Sequence, residues 1–215
     1  MHRQGFESRV SHCCPHGPTD SKSYQCYRRS DALDCVMTDR QNDTSLLIRA
    51  IEFAARKHRM QRRKDHDASP YINHPIALMS VLCVEAGVHD AGILAAAALH
   101  DTIEDTETTL AELEAEFGLQ IASIVVEMTD DKDLPKAERK RLQIERASHK
   151  SREATFVKLA DKICNLRDMA SSPPAAWDLA RRREYFEWAK AVVDGLPNVN
   201  SNLRKLFEAA YASRP

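Results

Sequence analysis

The stretch AGILAAAALHDTIEDT, residues 91–106, joins an almost entirely aliphatic run to a group of polar side chains. The aliphatic part predicts a helix in the protein interior. On a continuous helix, His100, Asp101, Glu104 and Asp105 would share one face. Taken singly, each suits a hydrogen-bonded core histidine or a solvated helix end. Together they would bury unpaired charge, which is unfavourable unless a cation or proton neutralises it. The stretch therefore predicts a metal site at the end of a central helix.

Helix signals continue on both sides of this stretch and no strand pattern interrupts them. The triplet NDT at 42–44 is a capping signal for a helix with apolar residues on one face. Pro75 suits a helix start, and Gly87 suits a helix end. Thr109 and Glu112 form a capping-box pair. The sequence predicts an all-α fold, a single compact domain of about eight to ten helices over residues 43–215.

Residues 1–42 show no hydrophobic periodicity and are rich in Ser, Pro, Gly and Cys. We interpret them as a disordered arm, and Met37 as a natural starting point for the folded chain. A zinc site is the alternative, but the paired spacing of strong zinc motifs is missing. Its ligands would come from His12, Cys13, Cys14, His16 and Cys26.

Composition excludes several classes of partner. The net charge is −1, so no overall attraction to nucleic acid or membranes is expected. No apolar run reaches the length of a membrane span, and the N-terminus lacks the apolar core of a secretion signal. We expect a soluble, cytoplasmic protein that binds a small molecule.

A second helical segment, KLADKICNLRD at 158–168, carries polar residues among aliphatic ones. Asp161 and Asn165 are four residues apart and therefore lie on one face. They could point inward to a site, form a buried hydrogen bond, or lie on the surface. A third polar element is His74, held beside Pro75 at a helix start.

The proposed ligands are His74, His100, Asp101 and Asp161, two imidazoles and two carboxylates from three helices. This donor set suits Mn²⁺, with Fe²⁺ or Zn²⁺ as alternatives. Such an ion lowers the pKa of water bound to it. Glu104 and Asp105 are then not needed as ligands and are suited to take a proton from the water.

Three motifs together resemble a known family: YINHP at 71–75, LHDTIED at 99–105 and KLADKICNLRD. They are similar to the hydrolase domain of Rel/SpoT proteins, in the HD phosphohydrolase superfamily, and to stand-alone small alarmone hydrolases. The resemblance spans residues 50 to 206. It implies hydrolysis of the 3′-pyrophosphate of (p)ppGpp to GDP or GTP and pyrophosphate, in the stringent response, without synthetase activity. It also implies one Mn²⁺ on the four ligands and a catalytic Glu104–Asp105 pair.

The same resemblance implies a set of substrate-binding residues. Asn165 would lie near the nucleotide sugar, and Arg63 and Lys64 on the substrate side of the site. The positions expected to contact phosphates and sugar are Lys136, Arg181 and Tyr185. Without the resemblance, the four cations would be interpreted as solvated charges, and Tyr185 as core packing.

Two other functions stay open. A pocket for a ribose with two phosphate-bearing arms would also admit another phosphorylated nucleotide, such as the 2′-phosphate of NADPH. A non-catalytic alarmone-binding module is the third hypothesis. The presence of Glu104 and Asp105 argues against that module, because binding alone does not require groups that accept a proton.

Overall fold

The computed structural model is built from helices throughout the part it describes, which is the backbone of residues 28–215 and the side chains of residues 41–215. Within those residues no strand occurs, and one isolated antiparallel bridge joins Arg62 to Pro70. The all-α prediction is confirmed. The helices of this part are α1 Arg28–Lys57, α2 Asn73–Ser80, α3 Ala91–Leu99, α4 Thr102–Asp105, α5 Leu110–Met128, α6 Lys136–Glu145, α7 Arg152–Ser171, α8 Leu179–Gly195 and α9 Ser201–Ala212. A π-helical turn, Val81–Glu85, continues α2, and a 3₁₀ turn, Ala147–His149, follows α6.

The chain divides into two units, residues 1–40 and 41–215. The predicted capping signal at 42–44 is wrong, because α1 begins at Arg28 and the triplet lies inside the helix. Asn, Asp and Thr lower helix stability by only tenths of a kcal/mol each, so a helix can continue through them. The Cys/His cluster and most of the proposed arm lie outside the described residues.

Helix α7 is the centre of the second unit. It packs against α2, α3, α5, α8 and α9. Its aliphatic side chains are buried as the sequence pattern predicts, but so are the polar side chains of Lys158, Asp161 and Lys162. Because α7 is surrounded on most sides, Asp161 is brought to the middle of the unit rather than to its surface.

Helix α3 supports the second half of the site. Every residue from Ile93 to Leu99 is buried, and four of these are alanines. Small side chains allow neighbouring helices to approach closely, and α3 contacts α2, α5 and α7. The Asp90 carboxylate accepts a hydrogen bond from the Ile93 amide at 3.0 Å and caps the N-terminus of α3.

The helix that the aliphatic run starts does not continue through the polar group. Asp101 leaves helical geometry, with φ −103° and ψ 1°, and a separate short helix, α4, follows. The Thr102 hydroxyl donates to the Leu99 carbonyl at 2.7 Å and satisfies a backbone acceptor where α3 ends. The predicted single face for the four polar residues is therefore wrong. His100 and Asp101 lie at the break, and Glu104 and Asp105 lie on α4.

Two other predicted helix boundaries, at Thr109 and Gly87, are confirmed, whereas Pro75 is the third residue of α2, which begins at Asn73. The Thr109 hydroxyl accepts from the Glu112 amide at 3.2 Å. Gly118, with φ 82° and ψ 163°, divides α5 into two helical segments. Gly87 has a positive φ of 71° just after the π turn. Among the described residues, no helix is both long and apolar enough to cross a membrane.

Candidate active site

His100 is oriented by the helix that precedes it. Its Nδ1 lies 2.8 Å from the Ala97 carbonyl oxygen, and because a carbonyl only accepts, Nδ1 carries the proton. In the neutral imidazole, which is the form that binds a metal, the lone pair is then on Nε2. This atom is buried without a hydrogen-bond partner, although Asp101 Oδ2 lies 2.9 Å from it. A buried lone pair aimed at a carboxylate is unfavourable unless a cation lies between them.

The other ligand candidates converge on this nitrogen. His74, His100 and Asp101 each offer a ligand atom, and these atoms lie within 4.8 Å of one another. His74 Nε2 lies 3.4 Å from Asp161 Oδ1, which adds the fourth residue. Burial lowers the pKa of the His74 imidazole, which keeps it neutral and able to ligate. The sequence-predicted set is thus brought together by α2, α7 and the break after α3.

This arrangement fits a divalent metal ion. It combines two carboxylates with two buried imidazoles, and Nε2 of His100 is buried without a hydrogen-bond partner. Imidazole and carboxylate donors suit borderline-to-hard divalent ions. In addition, the Nδ1–H of His100 donates to a backbone carbonyl. Metal-binding histidines commonly make a hydrogen bond of this kind with the ring nitrogen that does not bind the metal.

The carboxylate of Asp101 is also held by a residue outside the proposed ligand set. The Tyr71 hydroxyl donates to Asp101 Oδ2. Burial would raise the pKa of the Asp101 carboxyl, but the imidazole of His100 outweighs burial and lowers it. For Tyr71, burial and the nearby Asp101 raise the pKa, so the phenol stays protonated and remains a donor.

Asp161 is held by its own helix. The Asn165 amide donates to Asp161 Oδ1 at 2.5 Å, so the predicted Asp–Asn pair points inward. Lys162 Nζ lies 3.2 Å from Asp161 Oδ2, and both side chains are buried. Burial alone would raise the pKa of Asp161, but Lys162 and His74 lower it well below its usual range. The carboxylate is therefore ionised at neutral pH.

Glu104 and Asp105 turn to different partners. Glu104 Oε2 accepts from the Asp130 amide at 3.0 Å, and its other oxygen lies 3.9 Å from Arg139 Nη1. Burial raises the pKa of Glu104, and the carboxylate of Asp101 adds to this effect. A raised pKa suits a carboxyl group that accepts and returns a proton near neutral pH.

Asp105 faces a cavity and is held from two sides. Gln61 Nε2 donates to Asp105 Oδ2 at 2.9 Å, and Lys132 Nζ binds its other oxygen. Gln61 in turn bonds His58 Nδ1, at 2.6 Å. Burial lowers the pKa of the His58 imidazole. The carboxylate of Asp105 is thus fixed at the wall of the site.

Of the two cavities that Asp105 lines, the one that also contains Asn165 and Tyr71 in its wall has a volume of about 320 Å³. It is large enough for part of a nucleotide, since ligand pockets range upward from about 300 Å³. Several predicted substrate residues line it together with aromatic side chains. The lining includes Arg63, Lys64, Tyr71, Asp105, Asn165, Asp168, Trp177 and Tyr185. Arg63 forms an ion pair with Asp168, while Lys64 is exposed at the rim.

Lys136 and Arg181 do not line that cavity. They line another one of about 350 Å³ with Lys140, and Trp177 borders both cavities. The Arg181 guanidinium lies 4.3 Å from the centre of the Trp177 ring, and Lys136 Nζ lies 5.6 Å from it. The predicted substrate cations therefore form two groups, in two cavities that share one indole.

Tyr185 is packed among aromatic rings and also lies at a cavity wall. Its ring packs between Trp177 at 5.7 Å and Trp188 at 5.3 Å, and the same residue lines the 320 Å³ cavity. Burial raises the pKa of its hydroxyl, which therefore stays protonated at neutral pH. A protonated phenol at a cavity wall can donate a hydrogen bond to a sugar or phosphate oxygen.

Sequence reasoning missed the residues that hold the ligands and the proton acceptors. These are His58, Gln61, Tyr71, Lys132, Lys162 and Trp177. Two of them carried a signal: Tyr71 opens the motif YINHP, and His58 continues the apolar face of α1. The others are ordinary polar or aromatic residues whose roles depend on the tertiary structure.

Comparisons with known proteins agree with this geometry. The family model described as HD domain matches residues 50–185. The Homo sapiens guanosine-3′,5′-bis(diphosphate) 3′-pyrophosphohydrolase MESH1 is 52% identical over 173 residues, covering 80% of this chain and 97% of the human protein. The Drosophila melanogaster protein of the same name is 47% identical, covering 78% and 93%.

A solved structure also matches the chain. It is described as a metazoan orthologue of SpoT that hydrolyses ppGpp and plays a role in starvation responses. The TM-score is 0.76 at 46% identity, and the match covers 79% of this chain and 95% of that one. Sequence and structure therefore agree on one assignment: the chain belongs to the HD-domain family, in the group that contains the MESH1 proteins.

Proposed function

We propose that the protein hydrolyses the 3′-pyrophosphate of (p)ppGpp to GDP or GTP and pyrophosphate. The observation that carries this proposal is the cluster of His74, His100 and Asp101, with ligand atoms within 4.8 Å, beside a cavity lined by Asp105. The MESH1 relatives, named for this reaction, support the choice of substrate. We further propose a cytoplasmic location and a nucleotide, rather than a nucleic acid or membrane, as the partner.

The four ligands proposed for one Mn²⁺ are His74, His100, Asp101 and Asp161, with Fe²⁺ or Zn²⁺ as alternatives. When bound, a divalent ion supplies charge that stabilises the phosphorane-like transition state and lowers the pKa of a coordinated water. The rest of the mechanism depends on the chain's own groups. Tyr71 orients Asp101, and Asn165 orients Asp161, through hydrogen bonds to their carboxylates.

Asp105 and Glu104 are the proposed proton acceptors. Asp105 lines the cavity, so a substrate lying there brings the reacting phosphorus to this wall. Glu104 is half-buried on the same short helix, and its raised pKa, caused by burial, suits it to hold a proton. Together they would take the proton from the attacking water and return one to the leaving oxygen.

The two cavities suit the two ends of the substrate. The 320 Å³ cavity offers Asn165 and the Tyr185 hydroxyl to the sugar, and aromatic faces to the base. Arg63 and Lys64 line the same cavity. The second cavity offers Lys136 and Arg181, whose side chains form no ion pair among the described residues, to the remaining phosphates. Uncompensated cations of this kind favour polyanionic ligands.

The proposed bond cleavage lies between the 3′ oxygen and its phosphorus. Water oxygen forms a bond to that phosphorus, the bond to the ribose 3′ oxygen breaks, and the alkoxide takes up a proton. Asn165 beside Asp161 favours this choice, because a sugar held near Asn165 is close to the ligand cluster. The products are GDP with a free 3′ hydroxyl and intact pyrophosphate.

The test uses the purified full chain, Mn²⁺, H₂¹⁸O and, separately, ppGpp and NADPH. The expected products from ppGpp are GDP without label and pyrophosphate with one ¹⁸O. Orthophosphate as first product, or label in GDP, would contradict the proposed cleavage. Faster release of orthophosphate from NADPH would favour a phosphatase, and tight binding of ppGpp without turnover would favour the non-catalytic module.

A further inference from the structure

The chain His58–Gln61–Asp105 links a buried histidine to the proposed proton acceptor. His58 directly follows α1 and is 2% exposed. Its Nδ1 lies 2.6 Å from Gln61 Oε1, and Gln61 Nε2 lies 2.9 Å from Asp105 Oδ2. The mechanism above uses neither His58 nor Gln61. The contact between Gln61 and Asp105 bridges 44 residues of sequence, from the segment after α1 to α4.

The direction of both hydrogen bonds follows from chemistry. An ionised carboxylate only accepts, so Gln61 must turn its amide nitrogen to Asp105. Its oxygen then faces His58, and an oxygen requires a donor. His58 therefore carries a proton on Nδ1. Its other nitrogen, Nε2, is buried without a hydrogen-bond partner.

Buried His58, acting through Gln61, holds Asp105 from the protein interior. The other support, Lys132, has a side chain that is 48% exposed and lies between α5 and α6. By contrast, His58 is packed against the Tyr71 ring, with ring centres 4.8 Å apart. Tyr71 itself donates to Asp101. The His58 imidazole thus contacts Gln61, which binds the proposed proton acceptor Asp105. It also contacts Tyr71, which binds the proposed ligand Asp101.

We propose that His58 is a positioning residue, which orients the Asp105 carboxylate toward the reacting water by fixing Gln61. The inference rests on the proposed function, since it concerns the same site. A histidine that served packing alone would not need a donor on Nδ1, and an apolar side chain would avoid the unpartnered Nε2. The Gln61 side-chain amide has no other partner among the described residues that would fix which way it points.

The experiment compares His58→Ala, His58→Asn, Gln61→Ala and the double variant, with His149→Ala as an exposed control. His58→Ala is expected to lower kcat by about 10- to 100-fold, as is usual for groups that orient active-site ligands. KM and bound metal should stay unchanged. Asparagine places its amide nitrogen as many bonds from Cα as Nδ1, so His58→Asn should recover most of the activity.

The double variant separates positioning from packing. If His58 acts through Gln61, adding His58→Ala to Gln61→Ala should produce no further loss of kcat. Additive losses would overturn the proposal, and so would His58→Asn being as slow as His58→Ala at equal thermal stability. Loss of metal in His58→Ala would also overturn it, because it would assign the histidine to the ligand cluster.

A measurement without turnover distinguishes this inference from the proposed function. In ¹⁵N NMR of the full chain, His58 should be a neutral Nδ1–H tautomer, and Gln61→Ala should shift that Nδ1 resonance. An Nε2–H tautomer would overturn the inference even in an active enzyme. If the wild-type protein released no pyrophosphate from ppGpp but His58 gave the expected spectrum, the proposed function would fail, while the link from His58 through Gln61 to Asp105 would stand.

Discussion

At the scale of residues, the candidate site is a set of charged groups that the interior tolerates only in combination. Asp161 is buried between Lys162 and His74, and Asp101 lies between His100 and Tyr71. Each carboxylate is desolvated, and each is held ionised by its neighbours. Removing one member therefore affects both the chemistry and the stability of the rest.

Replacing Asp161 tests this coupling. Asp161→Ala removes a proposed ligand and leaves Lys162 buried without its counter-charge. We expect loss of bound metal and of turnover, and a free energy of unfolding lower by about 3 kcal/mol or more. Metal analysis and denaturant unfolding measure the two effects. As a control, Asp194→Ala breaks an exposed pair with Lys190 and should change stability by less than about 1 kcal/mol. Full activity of metal-free wild-type protein would exclude the metal site.

The two proton acceptors should behave differently from the ligands. Glu104→Gln and Asp105→Asn preserve shape but remove the basic oxygen. We expect kcat to fall by about 10²-fold or more while metal stoichiometry is kept. Steady-state kinetics and metal analysis on the same samples check this. Glu107→Gln, an exposed neighbour, is the matched control. Metal loss in either variant would show that a ligand has been misassigned.

At the scale of elements, the site depends on where helices stop. The change of backbone geometry at Asp101 separates α3 from α4. His100 and Asp101 therefore do not share a helix face with Glu104 and Asp105. A continuous helix would have aligned the four polar residues on one face. In α5, Gly118 produces a second break, and the segment after it, containing Ile121 and Val125, packs into the core.

Gly118 tests the importance of that second break. Its φ of 82° with ψ of 163° lies in a region open almost only to glycine. A Cβ there would meet no atom within 4 Å, so any cost comes from the backbone alone. We expect both Gly118→Ala and Gly118→Asn to lower the free energy of unfolding by about 1–3 kcal/mol. Denaturant midpoints measure it, with Ser123→Ala as a control in the same helix. Wild-type stability in both variants would contradict the backbone argument.

At the scale of the whole molecule, the residues of the proposed site belong to one helical unit. All proposed ligands, proton acceptors and substrate residues lie within residues 41–215. The proposed ligands come together because α7, which carries Asp161, packs against α2, which carries His74, and against α3, which ends just before His100 and Asp101. None of the proposed site residues comes from the first 42 positions.

A shortened chain tests this division. A protein beginning at Met37 keeps every site residue and the buried residues Ala50, Phe53 and Ala54 of α1. We expect its activity to equal that of the full chain, and its helical circular dichroism to decrease only by the share of α1 that is removed, residues 28–36. A protein beginning at Ala55 lacks the three buried residues and should unfold at lower denaturant concentration. A large loss of activity in the Met37 protein would assign a role to the first 36 residues.

The sequence by itself determined the all-α class, the cap at Thr109 and the identity of the ligand candidates. These features depend on local hydrogen bonding and on periodicity, which neighbouring residues specify. Tertiary structure alone decided how the carboxylates are used. Gln61 reaches Asp105 across 44 residues, and Tyr71 reaches Asp101 across 30. The division of the substrate cations into two cavities likewise follows from packing around Trp177. Such contacts join distant parts of the chain, so no local pattern encodes them.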